Sequence, residues 1–313
     1  MKGIELCRKY YYAYGEKMLR DEFPEVYLRA AIGLVGGGSE CLGYDDEVSQ
    51  DHDFEPGFCI FLPCGDFDDA TLFSLERAYA GLPREFEGVK RSVTAPVGGS
   101  RHGVIMIEDI LMSKTGMRTP PQCDEDWFGI PEYALCELMG GELFYDGAGI
   151  FSRIRAQMAH YPQDVKLKKL AGQLLLAGQS GQYNYTRCIA HGENGAAQLA
   201  AGEFVNSVMA IAFLLADKYM PYYKWRFRAL RECSALGEAL VYPLEFLLTT
   251  DNSPKSVKIK SEVIEDIARM ISNELCAQGL ITATDAELER HAYAVNNKIK
   301  SVEIRNKHVL FAV

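Results

Sequence analysis

Three glycines in a row, Gly36, Gly37 and Gly38, stand between two short apolar runs, RAAIGLV at 29–35 and FCIFL at 58–62. A regular element does not run through such a triplet, because glycine loses more backbone freedom on ordering than any other residue and has no side chain to pack. The chain therefore turns at 36–38, and the runs on either side read as short buried strands. What lies between them is acidic: the stretch 34–62 is LVGGGSECLGYDDEVSQDHDFEPGFCIFL. It combines two devices that phosphoryl transfer needs. A glycine turn ending in Ser39 lets the backbone approach a ligand closely and offers amide and hydroxyl donors to phosphate oxygens. Asp51 and Asp53, two apart before the second strand, place both carboxylates on one face of an extended segment. Carboxylates so paired suit Mg²⁺ or Mn²⁺, which neutralise charge on a transferred phosphorus. A glycine turn alone, or an isolated Asp-x-Asp, is ordinarily just a turn or a pair of solvated acids. It is their combination, twelve positions from Ser39 to Asp51 with a strand on each side, that points to chemistry.

The rest of the chain is ordered around this segment. Residues 3–20 carry apolar side chains at helical spacing, and 66–82 (DFDDATLFSLERAYAGL) opens on acids suited to a helix start. HGVIMI at 102–107 reads as a further strand. After residue 125 the pattern turns helical: PEYALCELMGG, FSRIRAQMAHY, VKLKKLAGQLLLAGQ, AAGEFVNSVMAIAFLLADKYM and VIEDIARMISNELCAQGL all repeat apolar residues every three or four positions. The expected class is α+β, with a mixed-sheet α/β domain over 1–125 and an all-helical domain over 126–313.

Composition narrows the function classes. At 313 residues and 48% hydrophobic content the chain can bury a substantial core, and its formal charge of −10 argues against a broad phosphate-neutralising surface. Long nucleic acid is therefore not an expected partner, although a local basic pocket stays open. Nine cysteines, an odd number without Cys-x-x-Cys spacing, read as reduced core-filling thiols. The N-terminus lacks the apolar stretch of a signal peptide, and IAFLLA at 211–216 is shorter than a bilayer span and closely followed by Lys218. A cytoplasmic protein with no membrane partner is expected.

The spacing of Gly38-Ser39 and Asp51-His52-Asp53 resembles the signature of the polymerase-β-like nucleotidyltransferase superfamily. The longer string GSECLGYDDEVSQDHDF is similar, more narrowly, to the domain-of-unknown-function 4037 family. Downstream, YPQDVKLKKL from Tyr161, GQYNYTRC from Gly181 and YMPYYKWRFRALRE from Tyr219 continue the likeness. The resemblance implies a nucleotidyltransferase-like core in which Asp51 and Asp53 ligate the metal, Gly37, Gly38 and Ser39 hold the triphosphate of an NTP, and a helical domain covers the cleft. It also implies a third carboxylate from a later strand. Here that strand, RHGVIMIEDI, has Ile105 near the expected place, and Glu108 or Asp109 fills the role only if the register is shifted.

Further candidates come from the helical half. Lys224 offers a point charge for phosphate, with Tyr223 available to stack on a base. Gln182, Tyr183, Asn184 and Arg187 are grouped closely enough to read a nucleobase or acceptor, or equally to form a helix-terminal network. Asp45, Asp46 and Glu47 either assist the metal or form a solvated turn. His52 points away from the aspartates, and Asp164 caps the helix after Pro162. Three readings remain open at this stage: NMP transfer from an NTP to a small molecule or protein side chain, a catalytically silent nucleotide-binding regulatory module, and a toxin–antitoxin component that modifies a partner protein.

Overall fold

The computed structural model describes residues 1–48, 54–91, 102–283 and 285–313. The chain divides into two compact units, Met1–Gln122 with Gly129–Ala159, and Cys123–Phe128 with His160–Val313. The fold class is α+β, with a small mixed sheet.

The first unit begins with α1 (Gly3–Tyr10), a π-helical turn over Tyr11–Gly15, α2 (Glu16–Glu22) and α3 (Pro24–Arg29). Then come β1 (Ala31–Leu34), the one-turn α4 (Ser39–Leu42), β2 (Cys59–Leu62), α5 (Asp69–Ala80), the small β3 (Glu85–Phe86) and β4 (Val89–Lys90) pair, β5 (Gly103–Met106) and α6 (Ile107–Thr115). It closes with α7 (Glu132–Met139), β6 (Glu142–Asp146) and α8 (Ile150–Gln157). The main sheet has the order β5-β2-β1-β6, with β1 antiparallel to both β2 and β6 and β2 parallel to β5.

Every residue of β1 and β2 is buried, as their uninterrupted apolar runs require of strands covered on both faces. Aromatic rings make the contact between helices and sheet. Phe58 lies 5.4 Å from Tyr11 and 5.0 Å from Tyr79, and its amide donates to the Tyr79 hydroxyl at 3.0 Å. Gly15 is what lets the N-terminal helical run come so close: a Cβ there would stand 2.3 Å from the Phe58 ring. The α5 start is fixed by Asp68, whose carboxylate accepts from the Thr71 amide at 2.9 Å.

β6 corrects the sequence reading, which assigned everything after 125 to helix. ELFYD pairs with β1 over its length, with a register shift between Ile32 and Gly33, so residues 129–159 belong to the sheet-bearing unit. Gly33 sits at that irregularity, where its backbone faces the Glu142 carbonyl with no room for a side chain.

The second unit is helical among its described residues. Its elements are α9 (Gln163–Ala177), a π-helical segment over Gly178–Tyr185, α10 (Thr186–Ala190), α11 (Asn194–Leu215), α12 (Arg226–Cys233), α13 (Ala235–Thr249), α14 (Pro254–Ala277), α15 (Leu288–Asn296) and α16 (Val302–Asn306). α9 lies at the centre and packs on α11 and α15. α11 is longer than the IAFLLA stretch suggested: by length and composition it could cross a membrane, and 67% of its apolar window is buried within the protein.

Two lysines are fully buried in this unit. The Lys168 ammonium donates to Asn296 Oδ1 at 2.9 Å and to the Lys307 carbonyl at 2.6 Å, tying the C-terminal segment to α9. That of Lys260 donates to Gln198 Oε1 and to Asn252 Oδ1, both at 3.0 Å. Burial lowers the pKa of each, and for Lys168 the nearby Lys307 charge adds to the effect.

Two substitutions test this account. Gly33→Ala puts a Cβ 2.2 Å from the Glu142 carbonyl oxygen; a loss of about 1–3 kcal/mol in urea unfolding is expected from the forced backbone shift. Lys168→Met strands the buried oxygens of Asn296 and Lys307, and is expected to cost about 1–3 kcal/mol by the same measurement.

Candidate functional site

The register of the sheet determines what meets at its end. Gly33 is opposite Cys59 and Ala31 opposite Phe61, so β1 finishes where β2 starts. The glycine turn leaves the sheet at that end, and residues 54–58 lead into β2 there. β5 runs parallel to β2 with Gly103 opposite Cys59, so its first residue lies at the same end. Gly36 has φ +137° and Gly38 has φ +124° with ψ 158°, conformations that side-chain-bearing residues rarely adopt. Ser39 follows as the first residue of α4. Its hydroxyl is 3.4 Å from Glu40 Oε2, and its carbonyl accepts from the Tyr44 amide at 2.7 Å. The three predicted phosphate-holding residues, Gly37, Gly38 and Ser39, are thus brought together at the sheet end.

Asp51, His52 and Asp53 lie outside the described residues. The residues on either side of them are held at the same end. On one side, Asp45 is not a solvated turn acid: it is buried, accepts from the Gly3 amide at 2.7 Å and faces the Lys2 ammonium at 3.3 Å. Asp46 accepts from the Val48 amide within its own turn, and Glu47 is exposed. On the other side, Phe54 and Glu40 both abut Gly3, where an added Cβ would stand 3.5 Å and 2.9 Å from them respectively. Glu55 follows, its Oε1 3.3 Å from Nδ1 of His102, the residue just before β5, whose ring is pressed against Gly57.

Glu108 and Asp109 are at the opposite end. They begin α6, beyond Met106, which is opposite Leu62. Glu108 accepts from the Cys64 amide at 2.8 Å and Asp109 pairs with Arg118 at 2.8 Å. The register is therefore unshifted, Ile105 lies opposite Phe61, and neither acid belongs with the glycine turn.

A different acid does. Glu137, in the last turn of α7, rests against Gly37: a Cβ on that glycine would be 2.9 Å from Glu137 Oε1. Its other oxygen accepts from the Lys114 ammonium of α6 at 2.5 Å. Sequence reading missed both residues, since 23 positions separate them and no local pattern joins them. It also stopped one step short at Glu55, which continues the alternation of Asp51 and Asp53.

The helical-half candidates fall in the second unit. Gln182 is committed to structure: its side-chain amide donates to Glu265 at 3.0 Å and to the Ala286 carbonyl at 2.8 Å, and its oxygen accepts from the Leu288 amide. Tyr183 and Asn184 are exposed, and the Arg187 guanidinium lies 5.0 Å over the Tyr183 ring. Lys224 lies 4.9 Å over the Trp225 ring, beside a Tyr222–Tyr223 pair whose centroids are 4.4 Å apart. Asp164 is not a cap for its own helix but accepts from the amides of Lys300 and Ser301 at 3.0 and 2.8 Å. In the same unit, Asp217 adopts φ +56° after α11 and pairs with His160 at 2.9 Å and Lys166 at 3.0 Å.

Residues 127–226 match the family model described as Domain of unknown function (DUF4037). The match covers YPQDVKLKKL and GQYNYTRC whole and the start of YMPYYKWRFRALRE, and it takes in Glu137. The glycine turn and the acidic segment precede it. No curated protein and no solved structure matches the chain.

Cys136 reports on the acids of α7. Burial, reinforced by the charges of Glu137 and Glu132, pushes its thiol up to about 12. In native protein at pH 8, iodoacetamide is therefore expected to label exposed Cys123 and to leave Cys136 unmodified, as read by peptide mass mapping.

Proposed function

We propose that this chain is a metal-dependent nucleotidyltransferase that moves an NMP from an NTP onto a small-molecule or protein acceptor and releases pyrophosphate. The observation that carries the reading is the antiparallel pairing of β1 with β2, which gives the glycine turn and the acidic segment one end of the sheet in common. In this reading the backbone at Gly37 and Gly38 and the hydroxyl of Ser39 hold the triphosphate. An acceptor oxygen attacks the α-phosphorus, the bond from that phosphorus to the bridging oxygen breaks, and pyrophosphate leaves. Asp51 and Asp53 would hold Mg²⁺ or Mn²⁺; an all-oxygen, doubly anionic donor pair suits a hard cation, which supplies charge neutralisation at phosphorus.

One observation favours a second reading, a nucleotide-binding regulatory module without turnover. Glu108 and Asp109 are engaged at the far end of the sheet, so neither supplies the additional acid that the resemblance implies. The two readings separate on pyrophosphate release measured with ATP, GTP, CTP and UTP, with Mg²⁺ or Mn²⁺, in the presence of cell extract as acceptor source. Under the transferase reading, chelation with EDTA or the double change Asp51→Asn and Asp53→Asn lowers release about a hundredfold or more, as loss of several kcal/mol of charge stabilisation requires. Nucleotide binding without release supports the regulatory module, and no binding at all sinks both.

A further inference from the structure

We propose that Glu137 occupies, in the nucleotide-free chain, the position of a phosphate beside the glycine turn, and that Lys114 is the cation passed from Glu137 to the incoming phosphate. The inference rests on the nucleotide reading above and adds to it a residue pair that guards the triphosphate position.

Three observations carry it. First, the Glu137 carboxylate lies along Gly37: a Cβ at that glycine would be 2.9 Å from Oε1, 3.1 Å from Cδ and 3.4 Å from Oε2. An anionic group already sits against the backbone that the reading assigns to phosphate. Second, that anion is matched by the Lys114 ammonium at 2.5 Å, and both side chains are partly open to solvent, Lys114 at 26% and Glu137 at 21% exposure. The pair can therefore be reached by a ligand. Third, the helix ends treat the two charges differently. Lys114 is in the last turn of α6, where the helix dipole favours a cation. Glu137 is in the last turn of α7, where the dipole opposes an anion. The lysine is well placed without its partner, whereas the glutamate depends on the lysine.

An arriving phosphate carries more negative charge than a carboxylate and offers more acceptor oxygens, so it competes effectively for the ammonium. Glu137 then turns away toward solvent. The carboxylate thus excludes weak anions from the glycine turn while the lysine stays preformed for a strong one.

The test uses the full chain and inorganic tripolyphosphate alongside ATP, with dissociation constants from titration calorimetry. Glu137→Gln keeps the shape and removes the competing charge, and is expected to tighten tripolyphosphate binding about tenfold. Lys114→Met is expected to weaken it about tenfold, as loss of one charge-assisted hydrogen bond implies, while Lys114→Arg stays near wild type. Thermal unfolding within a few degrees of wild type confirms that Glu137→Gln is folded, and that variant alone decides the competition. If wild type binds and neither Glu137→Gln nor Lys114→Met changes the constant, the pair is only a strut between two helices and this inference falls by itself. If neither wild type nor Glu137→Gln binds ATP or tripolyphosphate, the nucleotide reading falls and takes the inference with it.

Discussion

The antiparallel ladder between β1 and β2 is the constraint on which the first unit depends. Because Gly33 faces Cys59, whatever follows β1 and whatever precedes β2 must emerge at the same end of the sheet. The parallel placement of β5 extends this to His102, and the pairing of Leu34 with Glu142 extends it to the start of β6. Close backbone contact holds this arrangement together: Gly33 and Gly141 both meet the neighbouring strand where a Cβ would overlap a carbonyl oxygen. The sheet end is thus built from residues chosen for what they lack.

Charge in this protein is managed in pairs, and the pairs differ in kind. Lys168 and Lys260 are buried and satisfied by neutral oxygens, so they act as multidentate donors that fasten chain segments together. Asp45 does the reverse job for α1, accepting from the first helical amide. Lys114 and Glu137 are of another sort: partly open, one partner favoured by its helix end and the other opposed. Fastening groups cannot be exchanged without loss of structure, whereas an open pair can change partners.

The elements that declare themselves locally were legible in the sequence. Apolar runs at 29–35, 58–62 and 102–107 became β1, β2 and β5, and the longer three- and four-residue periodicities became helices. β6 was hidden because five residues between Gly141 and Gly147 lie among helices, and only the partner strand makes ELFYD extended. Long-range hydrogen bonds were equally invisible. Asp164 looked like a cap from its neighbours, but its partners are 136 and 137 positions away, and Gln182 reaches Leu288 at a separation of 106. At the candidate site, the glycine turn was readable since conformation there is a property of glycine itself. The Lys114–Glu137 pair was not, since only folding makes those two residues neighbours. Asp51 and Asp53 lie outside the described residues.

The two π-helical segments, Tyr11–Gly15 and Gly178–Tyr185, have a consequence for how this chain can vary. Each contains a glycine pressed on a phenylalanine: a Cβ at Gly15 or at Gly181 would stand 2.3 Å from the ring of Phe58 or Phe204. Each wide turn sets the angular phase of the helix that follows it. Removing one residue would advance every later side chain by about 100° around the axis, carrying the glycine off its ring and a bulkier group onto it. These two helical runs are therefore fixed in length as well as in composition, and insertions or deletions among relatives should collect in the connecting loops instead.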